Sequence, residues 1–400
     1  MMSKKSPQLR FEGFTDDWEE RKLGDVLSER NDQTPETNEY PLMSFVQGKG
    51  VTPKGERYNR SFLVKDSEKK YKKTELGDFI YSSNNLETGS IGFNRTGKAV
   101  ISPVYSIFES KKSRESQFIG IMSARKDFIS KMVRFRQGVV YGQWRIHESD
   151  FLNIDMKMPN DKEQQLIISF FENIDKTIAL HQRKLDLLKE QKKGYLQKMF
   201  PKNGAKVPEL RFAGFADDWE QRKLNEVSDI YDGTHQTPKY QDNGVMFLSV
   251  ENIKTLTSNK FISREAFEDE FKIRPQRGDV LMTRIGDIGT ANVVETDEDL
   301  AYYVSLALFK SEELNPYFLQ ASIYAPFVQD QIWKRTLHIA FPKKINKNEI
   351  GQVPINVPTL AEQTKIGSFF KQLDNTITLH QRKLDLLKEQ KKGFLQKMFV

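Results

Sequence analysis

The chain runs to 400 residues, 38% hydrophobic and 11% aromatic, with a mean hydropathy of -0.62, a formal net charge of +7 and a pI near 9.1. That length suits two or more domains with proper cores, and the aromatic content excludes a disordered chain. The lack of Cys excludes disulfides, thiol catalysis and Cys-type zinc sites and fits a reducing cytoplasm, while the basic balance favours a polyanionic partner.

No apolar run approaches the roughly 18 residues of a membrane span. The N-terminal MMSKKSPQLR has no apolar core for a signal peptide. A cytoplasmic protein with no membrane partner is therefore expected.

In chain order, the first element is PQLRFEGFTDDWEERKLGDV at 7–26, which returns as PELRFAGFADDWEQRKLNEV at 208–227. Trp18 and Trp219 repeat with it and are assigned to the core, because side chains that give specificity should differ between halves. Asp17 and Asp218 are read as helix starts. An insert of about 28–150 follows. In it, Gly77-Asp78-Phe79-Ile80-Tyr81 and Gly89-Ser90-Ile91-Gly92-Phe93 look like strand–turn–strand pieces, and Gly48-Lys49-Gly50 like a turn.

A long helix is predicted after Pro159, opened by the capping box Asn160-x-x-Glu163. Ile167, Phe171, Ile174, Ile178, His181, Leu185, Leu188, Lys192, Tyr195 and Met199 recur at spacings of four and three, a coiled-coil seam. Roughly 40 residues at 1.5 Å each make a rod of about 60 Å. His181 and Lys192 are polar seam positions, costly to stability but able to fix register and partner. Leu187 lies off the seam and leaves an apolar face for further helices. Gly194 weakens the rod by about 1 kcal/mol relative to Ala, and close backbone approach or fraying is expected there. Pro201 stops the helix, and the chain to Pro208 is a linker.

The second insert, about 229–348, is unlike the first. It nevertheless carries Gly278-Asp279-Val280-Leu281-Met282 and Gly286-Asp287-Ile288-Gly289-Thr290. The shared Gly-Asp-apolar and G-x-I-G patterns imply one fold with two different surfaces. Asn315-Pro316-Tyr317 has only one of the two prolines of the N-P-P-[YF] loop of DNA amino-methyltransferases and is read as a helix start. The second long helix opens at Thr359-x-x-Glu362 after Pro358. Its seam is Ile366, Phe370, Leu373, Ile377, His380, Leu384, Leu387, Lys391, Phe394 and Met398, with Leu386 off it and Gly393 in it. Residues 380–399 differ from 181–200 only in Phe394 for Tyr195. The second tail ends where a linker would lead back to PQLRF, so the chain is a two-fold repeat cut once, with its ends near each other.

The pattern predicts an α+β protein: two mixed α/β domains separated by two long antiparallel coiled-coil helices. The expected division is 1–158 and 208–357 for the domains, 159–200 and 358–400 for the helices, and 201–207 for the linker. Catalytic constellations are missing. There is no G-x-x-x-x-G-K-[ST] loop and no G-x-G-x-x-G after a strand. The His residues at 147, 181, 235, 338 and 380 form no H-x-x-x-H pair, so no metal site is expected. What remains is binding. A two-fold protein on a duplex needs its readers about 34–36 Å apart, or a multiple of that. The rods would then be a ruler between two unlike short sequences with an unread gap.

Along its whole length the chain resembles the specificity subunit of type I restriction–modification systems. The marks are the V/M-P-x-x-x-E-Q helix entries (Met158 to Gln164, Val357 to Gln363), Ser-Phe-Phe followed by Asp-x-Thr-Ile, and the KLDLLKEQKKGxLQKMF tails, each occurring twice. Asp232-Gly233-Thr234-His235-Gln236-Thr237-Pro238 also looks like the DG-x-H-x-TP opening of many target-recognition domains; the first insert lacks it. The resemblance implies two target-recognition domains, each reading one half of a bipartite double-stranded DNA sequence, and helices that are the spacers. It implies two modification subunits that dock on the helices and methylate adenine with S-adenosylmethionine. Two restriction subunits with ATP and Mg would translocate and cleave. This chain would be non-catalytic and hold no cofactor.

Phosphate contacts are expected from Lys, Arg, Ser, Thr and backbone amides, and base contacts from Arg, Asn, Gln and apolar groups. In the first insert the candidates are Ser82, Ser83, Asn84 and Asn85 after the Gly-Asp strand, with Arg95 and the cluster Tyr141, Gln143, Trp144 and Arg145. In the second they are Thr234, His235, Gln236, Thr283 and Arg284. Three alternatives stay open: the partner of a methylation-only defence system, a self-sufficient nuclease or methyltransferase, and a coiled-coil scaffold whose inserts bind protein.

Overall fold

A computed structural model describes residues 6–46, 48–53, 69–138 and 144–400. The chain forms two compact units, Met1–His181 with Lys383–Val400, and Gln182–Arg382. Each unit thus takes a helix end from the other half of the sequence, unlike the consecutive division drawn above.

The first unit is built on strands β1 (Leu27–Glu29), β2 (Phe79–Tyr81), β3 (Ile91–Phe93) and β4 (Ser106–Ser110), paired antiparallel in the order β1-β4-β2-β3. The second has β5 (Asp229–Asp232), β6 (Val280–Thr283), β7 (Ala291–Val293) and β8 (Leu306–Lys310), paired antiparallel in the order β5-β8-β6-β7. The same order in both units shows that the inserts share a fold. Phe79, Ile80 and Tyr81 are all fully buried. A strand covered on both faces reads as a continuous apolar run, which is why the Gly-Asp segments were legible. The helices Glu115–Met122 and Pro316–Tyr324 cover β2–β3 and β6–β7. Asn315 caps the latter, its Oδ1 accepting from the N–H groups of Tyr317 and Phe318 at 3.1 Å each.

The repeated Gly-Asp has a local cause. Gly77 and Gly278 take φ of +93° and +94°, which disfavours a Cβ. The following Asp caps the turn: Asp78 Oδ2 accepts the Glu75 N–H, and Asp279 Oδ2 the Gln276 N–H, both at 2.7 Å. Burial pushes the Asp78 carboxyl up to about 6, against the pull of that backbone N–H and of Arg30 at 2.9 Å.

The two units differ in their smaller sheets. In the first unit Gln33–Thr34, Tyr71–Thr74 and Ala99–Ile101 pair antiparallel. In the second Val245–Leu248 pairs parallel with Leu300–Tyr302.

The long helices are α1 (Asp161–Lys198) and α2 (Leu360–Lys397), 38 residues each. In the first unit the start of α1 packs with the end of α2, and Phe170 meets Phe394 edge-on at 4.9 Å. In the second the start of α2 packs with the end of α1, and Tyr195 meets Phe369 edge-on at 4.9 Å. Seam residues Leu185, Leu188 and Leu384 are buried; Ile174, Ile178, His181, Leu373, Ile377, His380 and Leu387 are half-buried. The polar seam lysines form cross-helix ion pairs, Lys391 with Asp175 in the first unit and Lys192 with Asp374 at 2.6 Å in the second. A Cβ on Gly194 or Gly393 would meet nothing within 4 Å, so close approach does not explain them. Both helices also continue past them to Lys198 and Lys397.

Each core is closed by a helix tail. Phe399 lies against Trp18, Phe118 and Phe171, with ring centroids at 6.2, 5.5 and 5.8 Å. Phe200 lies against Trp219, Phe318 and Phe370 at 6.1, 5.8 and 5.9 Å. The N–H of Leu9 donates to Lys397 O at 2.9 Å, and that of Leu210 to Lys198 O at 2.8 Å. The segment at Leu9 therefore adjoins the end of α2.

Two local readings need correction. Asp17 and Asp218 do not start helices; the chain after them enters the strands Glu19–Lys22 and Glu220–Lys223, which pair with Asp155–Met158 and Pro354–Val357. The capping boxes are half made. Asn160 Oδ1 accepts the Glu163 N–H at 3.0 Å, but the Glu163 carboxylate is held by Arg10 in a two-pronged pair at 2.7 and 2.8 Å. Arg211 holds Glu362 the same way, both bonds at 2.8 Å. A bidentate guanidinium outcompetes a helix-end amide for the carboxylate. The repeated L-R-F and E-Q marks are thus the two halves of one clamp. Neither long helix, nor any other among the described residues, is long and apolar enough to cross a membrane.

Candidate nucleic-acid interface

In the first unit two sequence-distant candidates are brought together. Residues Ser83–Asn85 form a single 3-10 turn after β2. Ser83 Oγ accepts the Ile146 N–H at 3.0 Å, and Asn84 Oδ1 accepts the Trp144 N–H at 2.6 Å. The polar turn thereby fixes the short strand Trp144–Arg145, which pairs with Gln137–Gly138. Asn84, Asn85, Trp144 and Arg145 are exposed and share one surface. Arg136 supports it, its guanidinium 6.0 Å from the Trp144 ring and paired with Glu87 at 2.6 Å. Tyr141 and Gln143 lie outside the described residues.

Of the other first-insert candidates, Ser82 is corrected. Ser82 is buried, its N–H donating to Ser90 O at 2.8 Å. Arg95 lies over the Phe93 ring at 4.4 Å and is ion-paired with Asp175 of α1. It is nevertheless exposed and stays a candidate.

In the second unit Thr234, His235 and Gln236 form one loop. The Thr234 N–H donates to Tyr302 O at 3.1 Å and Thr234 O accepts the Val304 N–H at 2.9 Å, while His235 and Gln236 are exposed. Gly233 is required here because a Cβ would sit 2.3 Å from Tyr302 O. The loop borders an open pocket shared with Tyr231, Lys272 and Lys347. Asp232 and Glu270 line it as well, so it presents groups of both charges beside the polar loop.

Thr283 and Arg284 cannot read bases, since both are buried. Thr283 Oγ1 donates to Asp287 O and accepts the Thr290 N–H at 3.0 Å. Arg284 Nε donates to Ile345 O at 3.1 Å, and its guanidinium is ion-paired with Asp232. Arg284 is a positioning residue. It ties the end of β6 to the Asp232–Pro238 loop and to the chain at Ile345.

Sequence reasoning missed the chain that Arg284 anchors. Leu337 pairs with Lys344, which pairs in turn with Ile285, and the loop between carries Ile339 and Phe341 fully exposed. A signal was present: residues 331–348 hold Lys334, Arg335, Lys343, Lys344 and Lys347 and no acid. Among the described residues no group of three His, Cys, Asp or Glu could hold a metal ion.

Comparison with known proteins gives this surface its context. A family model described as the type I restriction modification DNA specificity domain matches residues 15–190 and again 216–389. The Type I restriction enzyme MjaVIII specificity subunit of Methanocaldococcus jannaschii is 22% identical over 404 residues, covering 95% of this chain and 91% of that protein. A putative type I restriction enzyme MjaX specificity subunit of the same organism is also 22% identical, covering 95% and 92%. Among solved structures, the S subunit of a type I restriction-modification system from M. genitalium matches the fold with a TM-score of 0.66 at 13% identity over 99% of both chains. A second structure, of a type I R-M system, matches with a TM-score of 0.52 at 18% identity over 96% of this chain and 97% of that one. With two copies of the family model laid over two units of one fold, the chain belongs to the type I restriction–modification DNA specificity family.

Proposed function

We propose that this chain is the non-catalytic DNA-recognition subunit of a cytoplasmic type I restriction–modification complex, each unit reading one half of a bipartite target. One observation carries the reading: the two units repeat their sheet order, Arg–Glu clamp and tail packing, while their exposed loops differ. A shared scaffold with divergent polar loops suits two unlike half-sites. The helices set the gap between half-sites.

Two modification subunits dock on the helices and bring S-adenosylmethionine. Two restriction subunits bring the ATP- and Mg-dependent steps. Leu180 and Leu187 on α1, and Leu379 and Leu386 on α2, are half or more exposed at seven-residue spacing. Such stripes are costly to leave in water and suit added helices.

The test is single-molecule methylome sequencing of a host carrying this gene and its neighbouring methyltransferase gene, with and without an intact copy of this one. Deletion is expected to abolish adenine methylation at one bipartite motif. An unchanged methylome in a host that methylates adenine at such a motif would overturn the reading.

A further inference from the structure

The chain 337–344 is a short hairpin in the second unit. Leu337 N–H donates to Lys344 O at 2.8 Å, Gly286 N–H to Lys343 O at 2.8 Å, and Ile345 N–H to Arg284 O at 2.9 Å. Its base is therefore fixed to the end of β6, beside the Asp232–Pro238 loop that Arg284 also holds. Next to it the Trp333 and His338 rings meet tilted at 55° with centroids 4.1 Å apart, His338 Nε2 is 2.9 Å from Trp333 O, and Lys343 Nζ lies 4.7 Å over the Trp333 ring.

The tip contrasts with this ordered base. Ile339 and Phe341 are 99% and 104% exposed. Single exposed apolar residues are ordinary, but two at one apex forgo burial that the rest of the unit obtains. In the sequence they lie within the acid-free basic stretch 331–348; Lys334 is paired with Asp330 at 2.6 Å, and Lys343 and Lys344 follow the tip directly and are exposed. Lysines are depleted in protein–protein interface cores, whereas cations around an apolar tip match a duplex: cations on phosphates, apolar groups on thymine methyls or wedged at a base step.

The first unit also has a basic stretch with a short antiparallel pairing. Residues 129–147 carry Lys131, Arg134, Arg136 and Arg145 and no acid, and Gln137–Gly138 pairs with Trp144–Arg145. Between the paired positions lie VVYGQ at 139–143, outside the described residues, and HIAFPK at 338–343, unlike in both length and sequence. Basic stretches around divergent sequence suit two readers of unlike half-sites.

We propose that Ile339 and Phe341 contact bases in the half-site read by the second unit and set its base preference, while Lys343 and Lys344 hold the flanking phosphates. This rests on the DNA-recognition reading above.

The experiment uses the full chain in complex with its modification subunit. Binding is measured to duplexes bearing every single base-pair change in each half-site, for the parent and for Ile339→Ala, Phe341→Ala, Lys343→Gln and Lys344→Gln. Because the tip side chains are exposed, folding is unaffected, and unfolding curves check this. Each alanine variant is expected to lose roughly ten- to hundredfold on the parent target. It should also lose discrimination at one or two adjacent base pairs of one half-site, the other half being unchanged. Each lysine variant is expected to weaken all sequences alike and flatten the salt dependence by about one contact.

Unchanged discrimination in both alanine variants would overturn the proposal while leaving DNA recognition intact. So would loss of the modification subunit with DNA preference retained, which would make the tip a protein-docking site. A parent complex without sequence preference would remove the underlying reading as well.

Discussion

Replacing Phe399 with alanine is expected to destabilise the first unit by about 3–5 kcal/mol, the range for emptying a buried aromatic site. The Phe399 ring is 4% exposed and touches Trp18, Phe118 and Phe171, which come from the N-terminal repeat, a core helix and α1. A loss of that size is a large fraction of the stability of an ordinary domain, about 5–15 kcal/mol. The effect should be confined to one unit, because the matching role in the other is played by Phe200. Hydrogen exchange of the full chain, read peptide by peptide, checks it. Phe399→Ala should raise exchange around Trp18 and Phe118 but not around Trp219 and Phe318, and Phe200→Ala should do the reverse. Equal loosening of both regions in each variant would contradict the exchange of tails.

The second large effect is expected at the clamp. Arg10→Leu leaves the Glu163 carboxylate, 1% exposed, without its cation. Removing one partner of a buried ion pair costs about 3–5 kcal/mol. The low end is expected here, since Glu163 lies in the first turn of α1, where the helix dipole and the end amides favour an anion. The double variant Arg10→Leu/Glu163→Leu should recover most of the loss, because two apolar groups leave no buried charge. Urea unfolding of the two single variants and the double gives the coupling. A double variant no more stable than Arg10→Leu would show that the pair is not the cause. Arg211 and Glu362, bonded at 2.8 Å, should behave alike in the second unit.

What was legible in the sequence was whatever repeats for a structural reason. The seam followed helical spacing, and Trp18 and Trp219 announced themselves as core by repeating. Gly77-Asp78 and Gly278-Asp279 were found because a positive φ and an Asp cap leave little choice of residue. The failures came where a long-range partner outbid a local rule. Asp17 and Asp218 carry a helix-start signal, yet strand pairing with Asp155–Met158 and Pro354–Val357 wins. Glu163 and Glu362 complete a capping box on paper, but arginines some 150 residues earlier take them.

The candidate interface was the least legible part. Polar residues beside a Gly-Asp strand can face either way, and no periodicity told exposed Asn84 from buried Thr283 and Arg284. The pairing of the Asn84 turn with Trp144 is set by tertiary contact alone. Ile339 and Phe341 were passed over because apolar residues are assigned to the core by default, although the acid-free basic run around them was readable.

On the proposed function, each unit reads its own half of the target. The measurement that tests it most directly is methylome sequencing after residues 28–150 are replaced by the corresponding insert of another specificity subunit. One half of the methylated motif should change, while the other half and the gap stay as they were. A change in both halves, or in neither, would show that the units do not read separate half-sites.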